Sequence, residues 1–328
     1  MAGEFSRRGL MAGVQALAFA QAAAAQSPLL PPPEPTEIVP LWPGAAPGGQ
    51  PPDLQENLVE RSTAPNLHDR AITGVVRPTL AVFRPINPDR SAVLLIPGGS
   101  YTRVAIDKEG YDTARWLALR GVTAFVLVYR LPGEGWKAGA DTSLQDAQRA
   151  MRVIRREAPR FALDPARVAV LGFSAGGHIA ASLAQRFDAP VYAPVDAADA
   201  LSARPDLNGL LYPVITMRAP YAHSQSREKL LGLKPTKARI AAYSLESHAR
   251  AGAASTFLLH AYDDPSVPVE NTLRFAAALR AAKIPLETHL FEEGGHGFGL
   301  RGAAGKPAAA WPDLFVAWGV RKGVFRGA

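Results

Sequence analysis

The chain has 328 residues, 48% of them hydrophobic and 20% charged, enough to bury one large core as a single domain. It has no cysteine, which excludes disulfides, a cysteine-anchored lipoprotein and a cysteine-ligated metal. The formal net charge is +7, but the arginines are scattered and no basic run is interleaved with aromatics, so the charge reads as a solvated surface rather than a nucleic-acid interface.

Ser6-Arg7-Arg8-Gly9-Leu10-Met11 reads as a twin-arginine n-region, followed by a mildly apolar stretch to Ala25 and a small-residue cleavage site at Ala23-Ala24-Ala25. Residues 1–25 are therefore expected to be a secretory signal, with export to the periplasm or the medium. Ten prolines between Pro28 and Pro52 make residues 26–70 an expected extension outside the catalytic domain, which is placed at 71–328. Trp42 is the residue of that extension expected to dock on the core. No run reaches 18 unbroken apolar residues, so no membrane span is expected.

Periodicity predicts strands over 79–83, 92–97, 122–129, 167–172, 209–214, 256–260 and 286–291. Helices are predicted over 109–120, 142–158, 175–187, 269–282 and 311–322. Strands alternating with helices imply an α/β fold: a mostly parallel central sheet with helices on both faces. The stretch 188–242 holds one strand and short helical pieces, leaving room for a minimal lid only.

Gly172-Phe173-Ser174-Ala175-Gly176 joins a predicted strand to a predicted helix. A serine on so sharp a turn lifts its oxygen clear of the sheet, and glycine two residues either side avoids a collision across the turn. Such a serine needs a base, and the base needs an orienting carboxylate. Two later strands end in Asp263-Asp264 and in Gly294-Gly295-His296-Gly297, so an acid and a histidine each follow a strand, where catalytic groups of open α/β sheets gather. Charge alone does not separate Asp263 from Asp264. Upstream, the strand over 92–97 breaks into Pro97-Gly98-Gly99-Ser100-Tyr101, a turn able to present backbone N–H groups to an oxyanion. The expected donors are the amides of Ala175 and of Gly99 or Ser100.

These motifs, together with Tyr129-Arg130-Leu131-Pro132, Asp146-Ala147-Gln148-Arg149-Ala150, Leu211-Tyr212-Pro213-Val214 and His260-Ala261-Tyr262-Asp263-Asp264-Pro265-Ser266-Val267-Pro268, resemble the small acetyl-esterase branch of the α/β-hydrolases. That branch includes acetyl xylan esterases and related carbohydrate esterases. The resemblance runs from about Pro78 to Gly319 and departs at Ser100, where relatives often carry a third glycine. It implies an α/β-hydrolase fold and selects Asp264, four residues after His260 and ahead of Val267-Pro268, giving Ser174, Asp264 and His296 as the catalytic residues. It further implies a serine esterase acting on short acyl esters, acetylated xylan above all, with no cofactor or metal. The alternatives are a general short-chain carboxylesterase or lipase and a non-catalytic carbohydrate-binding protein on the same scaffold.

Tyr101, Trp136 and Tyr212 follow strands or lie in loops beyond them and are expected to line the substrate cleft. His178, one turn along the helix from Ser174, is expected to pack within the fold, and His260 to be structural. Glu109 is expected to be a helix N-terminal carboxylate, and Asp146 a helix anchor.

Overall fold

The computed structural model describes residues 34–326. The expected signal segment lies outside the described residues. In chain order the strands are β1 (Glu37–Pro40), β2 (Asn57–Glu60), β3 (Arg70–Thr73), β4 (Thr79–Phe83), β5 (Ala92–Ile96), β6 (Thr123–Val128), β7 (Val168–Phe173), β8 (Leu207–Leu211), β9 (Ser255–Ala261) and β10 (Leu286–Phe291). The helices are α1 (Asp112–Ala118), α2 (Thr142–Arg156), α3 (Ala175–Arg186), α4 (Ser224–Leu231), α5 (Lys237–Ala242), α6 (Glu270–Ala281) and α7 (Trp311–Arg321).

Eight strands form one sheet in the order β1-β4-β6-β5-β7-β8-β9-β10. The pairs β1–β4 and β4–β6 are antiparallel and every other pair is parallel. The apolar runs of β5, β6 and β7, interrupted only by Thr123 at the start of β6, suit strands in which every residue is buried because both faces are covered. Glycines show which helix covers which face. A Cβ at Gly172 would strike Ala180 of α3, whereas one at Gly209, which pairs with Leu171, would strike Phe315 of α7. Adjacent residues of β7 point to opposite faces, so α3 and α7 cover opposite sides of the sheet.

The structure corrects the expected boundary at residue 71. β1 pairs with β4 through Glu37↔Val82 and Val39↔Leu80, making the Pro-rich segment the edge strand of the catalytic sheet. Pro40 ends β1, as suits a residue with no N–H to give. Beyond it Trp42 docks as expected: its indole N–H donates to Asp146 Oδ1 at 2.9 Å. The same fully buried carboxylate accepts from the backbone N–H and the guanidinium of Arg130, so Asp146 ties α2, the end of β6 and the N-terminal segment together. β2 and β3 form a separate hairpin, bridged to Val104 through Ile72 and tied by Arg70 to Asp107 at 2.8 Å. The helix predicted over 109–120 begins as a π-turn at Asp107–Tyr111 before α1.

Candidate active site

β7 ends at Phe173 and α3 begins at Ala175, leaving Ser174 alone at the bend with φ 52° and ψ −119°. That conformation is strained for a residue with a Cβ, and close packing holds it. A Cβ at Gly176 would lie 2.1 Å from the carbonyl oxygen of Ile96, and one at Gly172 would lie 2.4 Å from that of Gly176. Both glycines of the pentapeptide are thus needed where β5, β7 and α3 converge. The Ser174 amide donates to Leu211 O at 3.0 Å, anchoring the bend to β8.

Ser174 Oγ lies 2.8 Å from His296 Nε2, and His296 Nδ1 lies 2.7 Å from Asp264 Oδ2. An ionised carboxylate only accepts, so Nδ1 carries the proton and Nε2 is free to accept from the serine hydroxyl. Asp264 has no solvent-exposed side-chain surface. Burial acts to raise its pKa, but hydrogen bonds from His260 and His296 and the amide of Val267 outweigh this and hold the carboxyl well below the ordinary carboxylate range. Its Oδ1 accepts from the amides of Ser266 and Val267, both at 2.8 Å. The neighbouring carboxylate points elsewhere. Asp263 Oδ1 accepts from the amides of Gly294 and Gly295, fastening the loop that carries His296.

His260 is a second histidine on the same carboxylate. Its Nε2 lies 3.1 Å from Asp264 Oδ2 and 3.0 Å from Val267 O, and its Nδ1 lies 2.8 Å from Thr272 Oγ1. With two acceptors facing Nε2, that nitrogen carries the proton and Nδ1 accepts from the threonine hydroxyl. Asp264 is therefore held by donors on every side, a role the sequence does not disclose because His260 reads there as a strand-end residue.

After β5 the chain turns through Gly99 at φ 132°, Ser100 at 59° and Tyr101 at 58°. Only glycine reaches the first value comfortably, and a Cβ there would sit 2.1 Å from Arg103 O. The amides of Gly99 and Ser100 enter no hydrogen bond among the described residues, and Ala175, the first residue of α3, has no carbonyl inside its helix to receive its N–H. The Gly98 amide, by contrast, is taken by Glu109 Oε2 at 2.8 Å. Gly99, Ser100, Ser174 and His296 line one open cleft of about 220 Å³.

Glu109 does more than expected of a helix-end carboxylate. Its Oε1 accepts from the Tyr212 hydroxyl at 2.9 Å, and that hydroxyl accepts from the Gly299 amide at 3.1 Å. One buried carboxylate thus joins the Gly98 turn to the His296 loop. Burial, then the nearby Glu109 charge, pushes the Tyr212 phenol well above its usual pKa, so it remains a donor.

The three aromatics expected in the cleft do not line it. Tyr212 is buried beneath His296, with ring centroids 5.1 Å apart. Tyr101 is buried and hydrogen-bonded to His178 Nδ1 at 2.8 Å. Trp136 faces a separate pocket with Trp42 and Pro43. Position after a strand places Tyr101 and Tyr212 near the sheet's carboxyl end, but their rings turn inward to the core. The cleft walls are instead Arg61, Asp69, Arg103, Lys108 and Glu109, the first two from the loop joining β2 to β3. His178 packs inside as expected, with Nε2 2.9 Å from Tyr243 O, and burial lowers its pKa to about 4.

A hydroxyl, an imidazole and an ionised carboxylate in series, beside unused amides, can activate the hydroxyl as a nucleophile and stabilise an oxyanion. No cluster of histidines and carboxylates able to hold a metal occurs among the described residues.

A mostly parallel sheet flanked by helices, with a strained serine between strand and helix, is the α/β-hydrolase fold. Residues 82–279 match the BD-FAE family, and the chain belongs to it. It is 32% identical to the acetyl ester-xyloside bifunctional hydrolase of Caldicellulosiruptor lactoaceticus, whose crystal structure superposes with a TM-score of 0.73 over 91% of this chain and 100% of that one. An acetylxylan esterase of Xylanibacter ruminicola is 30% identical over 67% of this chain and 44% of its own length. Endo-1,4-beta-xylanase B of Butyrivibrio fibrisolvens is 38% identical over 63% of this chain and 32% of its own length. The chain therefore spans less than half the length of these last two relatives.

Proposed function

We propose that this protein is a serine ester hydrolase that removes short acyl groups, chiefly acetyl, from carbohydrate, with acetylated xylan as the substrate class. The observation that carries the reading is the series Ser174 Oγ–His296 Nε2 at 2.8 Å and His296 Nδ1–Asp264 Oδ2 at 2.7 Å, opening on a cleft beside unpaired amides. In this reading His296 takes the proton as Ser174 Oγ attacks the ester carbonyl, and Asp264 stabilises the imidazolium. The amides of Ala175 and of Gly99 or Ser100 receive the oxyanion. His296 then protonates the departing sugar oxygen, and water releases the acid from the acyl-serine by the same route. The substrate class is supported by the names of two relatives, an acetylxylan esterase and an acetyl ester-xyloside hydrolase, and by the polar walls of the cleft. Export directed by the twin-arginine segment is part of the proposal and would bring the enzyme to a polymer outside the cell.

The test is hydrolysis of p-nitrophenyl esters from acetate to octanoate, followed by acetate release from acetylated xylan, with Ser174→Ala as the blank. A steep fall in rate beyond propionate together with acetate release supports the proposal. Undiminished rate at octanoate without acetate release would replace it with a general carboxylesterase.

A further inference from the structure

The cleft walls hold three cations, Arg61, Arg103 and Lys108, against two carboxylates, Asp69 and Glu109. Both carboxylates are engaged. Asp69 pairs with Arg61 at 2.7 Å. Glu109 accepts from the Gly98 amide and the Tyr212 hydroxyl. The nearest acid in sequence to Lys108 on its other side, Asp107, is taken by Arg70. Lys108 and Arg103 make no ion pair or side-chain hydrogen bond with any described residue, and Arg103 Nε is buried without an acceptor. Four well-buried or half-buried arginines elsewhere, Arg70, Arg130, Arg149 and Arg186, each meet an aspartate within 2.8 Å. With Arg61 paired to Asp69, and Glu109 still charged because its donors are neutral, the cleft keeps one net positive charge, carried by two half-buried cations that make no ion pair among the described residues, and so attracts an anion.

The position of Lys108 indicates which half of an ester would carry it. A Cβ built on Gly297 would lie 3.9 Å from Lys108 Nζ and 3.6 Å from Glu109 Oε1, and a Cβ at Gly299 would strike Lys108 O. Lys108 therefore lies against the loop of His296, the residue that must hand its proton to the leaving oxygen. Arg103 packs on the other element, with its Cγ 3.0 Å from a Cβ built on Gly99. We infer that the cleft selects esters whose alcohol half bears a carboxylate, held by Lys108 with Arg103 as the second cation: acetylated oligosaccharides carrying an acidic sugar. The inference rests on the esterase reading above and narrows its substrate.

The experiment compares kcat/KM on acetylated xylo-oligosaccharides with and without a uronic acid branch, at 20 and 300 mM salt, using p-nitrophenyl acetate as a reference ester. The wild type should prefer the acidic oligosaccharide by about tenfold at low salt, and the preference should shrink at high salt as the screening length shortens. Lys108→Met keeps an unbranched apolar stem and removes the charge, so it should bring the acidic-to-neutral ratio close to one. Lys108→Arg should restore most of it. Wild-type activity on p-nitrophenyl acetate with an acidic-to-neutral ratio near one, or a ratio unchanged in Lys108→Met, overturns this inference alone. A preference for esters with the carboxylate on the acyl half, such as a succinate half-ester, also overturns it. Inactivity on every ester would bring down the esterase reading, and this inference with it.

Discussion

Gly98→Ala probes the approach of the turn after β5 to Ser174, the proposed nucleophile. Gly98 has an ordinary backbone conformation, so any effect is steric. The new Cβ would lie 2.9 Å from Ser174 Cβ, 2.8 Å from Phe173 O and 2.7 Å from Glu109 Oε2. Carbon atoms rest at about 3.5–4.0 Å, so the turn and the serine must separate by about 0.6–1.1 Å. All three neighbours are themselves fixed: Phe173 by the sheet, Ser174 by its bond to Leu211, and Glu109 by Tyr212. Overpacking of this kind costs about 1–3 kcal/mol of stability, and misplacing a reacting group by about 1 Å costs about 100-fold in rate. The expected result is kcat on p-nitrophenyl acetate lowered by about 10- to 100-fold with KM little changed, and a thermal midpoint lowered by a few degrees. Gly44→Ala is the control, because nothing lies within 4 Å of its added Cβ. Gly98→Ala activity within threefold of wild type, at an unchanged midpoint, would refute the argument that this contact fixes the reactive geometry.

The two adjacent aspartates should separate cleanly. Asp264→Asn forces His296 towards the wrong tautomer and should lower kcat by about 10⁴-fold, whereas Asp263→Asn keeps an Oδ1 acceptor for the Gly294 and Gly295 amides and should cost less than about tenfold; equal losses in steady-state assays would contradict the assignment. Because its hydrogen-bond donors hold Asp264 ionised far below neutrality, the acid limb of kcat/KM should follow protonation of the histidine base, and a rate flat from about pH 5 to 9 would count against such a base. Stability carries its own pH signature through His178, whose pKa burial lowers from 6.5 to about 4. Between those values the unfolded chain binds the proton that the folded one refuses, so stability should fall as pH drops from about 6.5 to 4, by up to about 3 kcal/mol. Urea midpoints measured across that range should converge for wild type and His178→Gln as the pH falls, and parallel curves would show that His178 does not titrate with unfolding.

The residues legible in the sequence are those whose chemistry leaves a local trace. Ser174 stands out because a strained bend between strand and helix admits only glycine at positions 172 and 176, and the turn after β5 because Gly98 and Gly99 break an apolar strand. The sheet's central strands are legible for a similar reason: β5, β6 and β7 are buried on both faces and, Thr123 apart, apolar. What stays hidden depends on direction or on distant partners. β1 is four residues long inside a Pro-rich stretch, and its partner β4 lies some 40 residues on. Tyr101, Trp136 and Tyr212 sit beyond strands, but nothing local says whether a ring points into the cleft or away from it. The same holds for Asp263 and Asp264, which differ only in where their carboxylates point. Glu109 reads locally as a helix-end charge, because its role arises from residues far along the chain, at Tyr212 and Gly299.

The most direct test of the central claim is covalent labelling with a fluorophosphonate and identification of the modified residue by peptide mass spectrometry. One phosphonylated residue, Ser174, is expected, with esterase activity falling in proportion to labelling and no labelling of Ser174→Ala. Intact esterase activity after Ser174→Ala, or stoichiometric labelling at another serine, would contradict it.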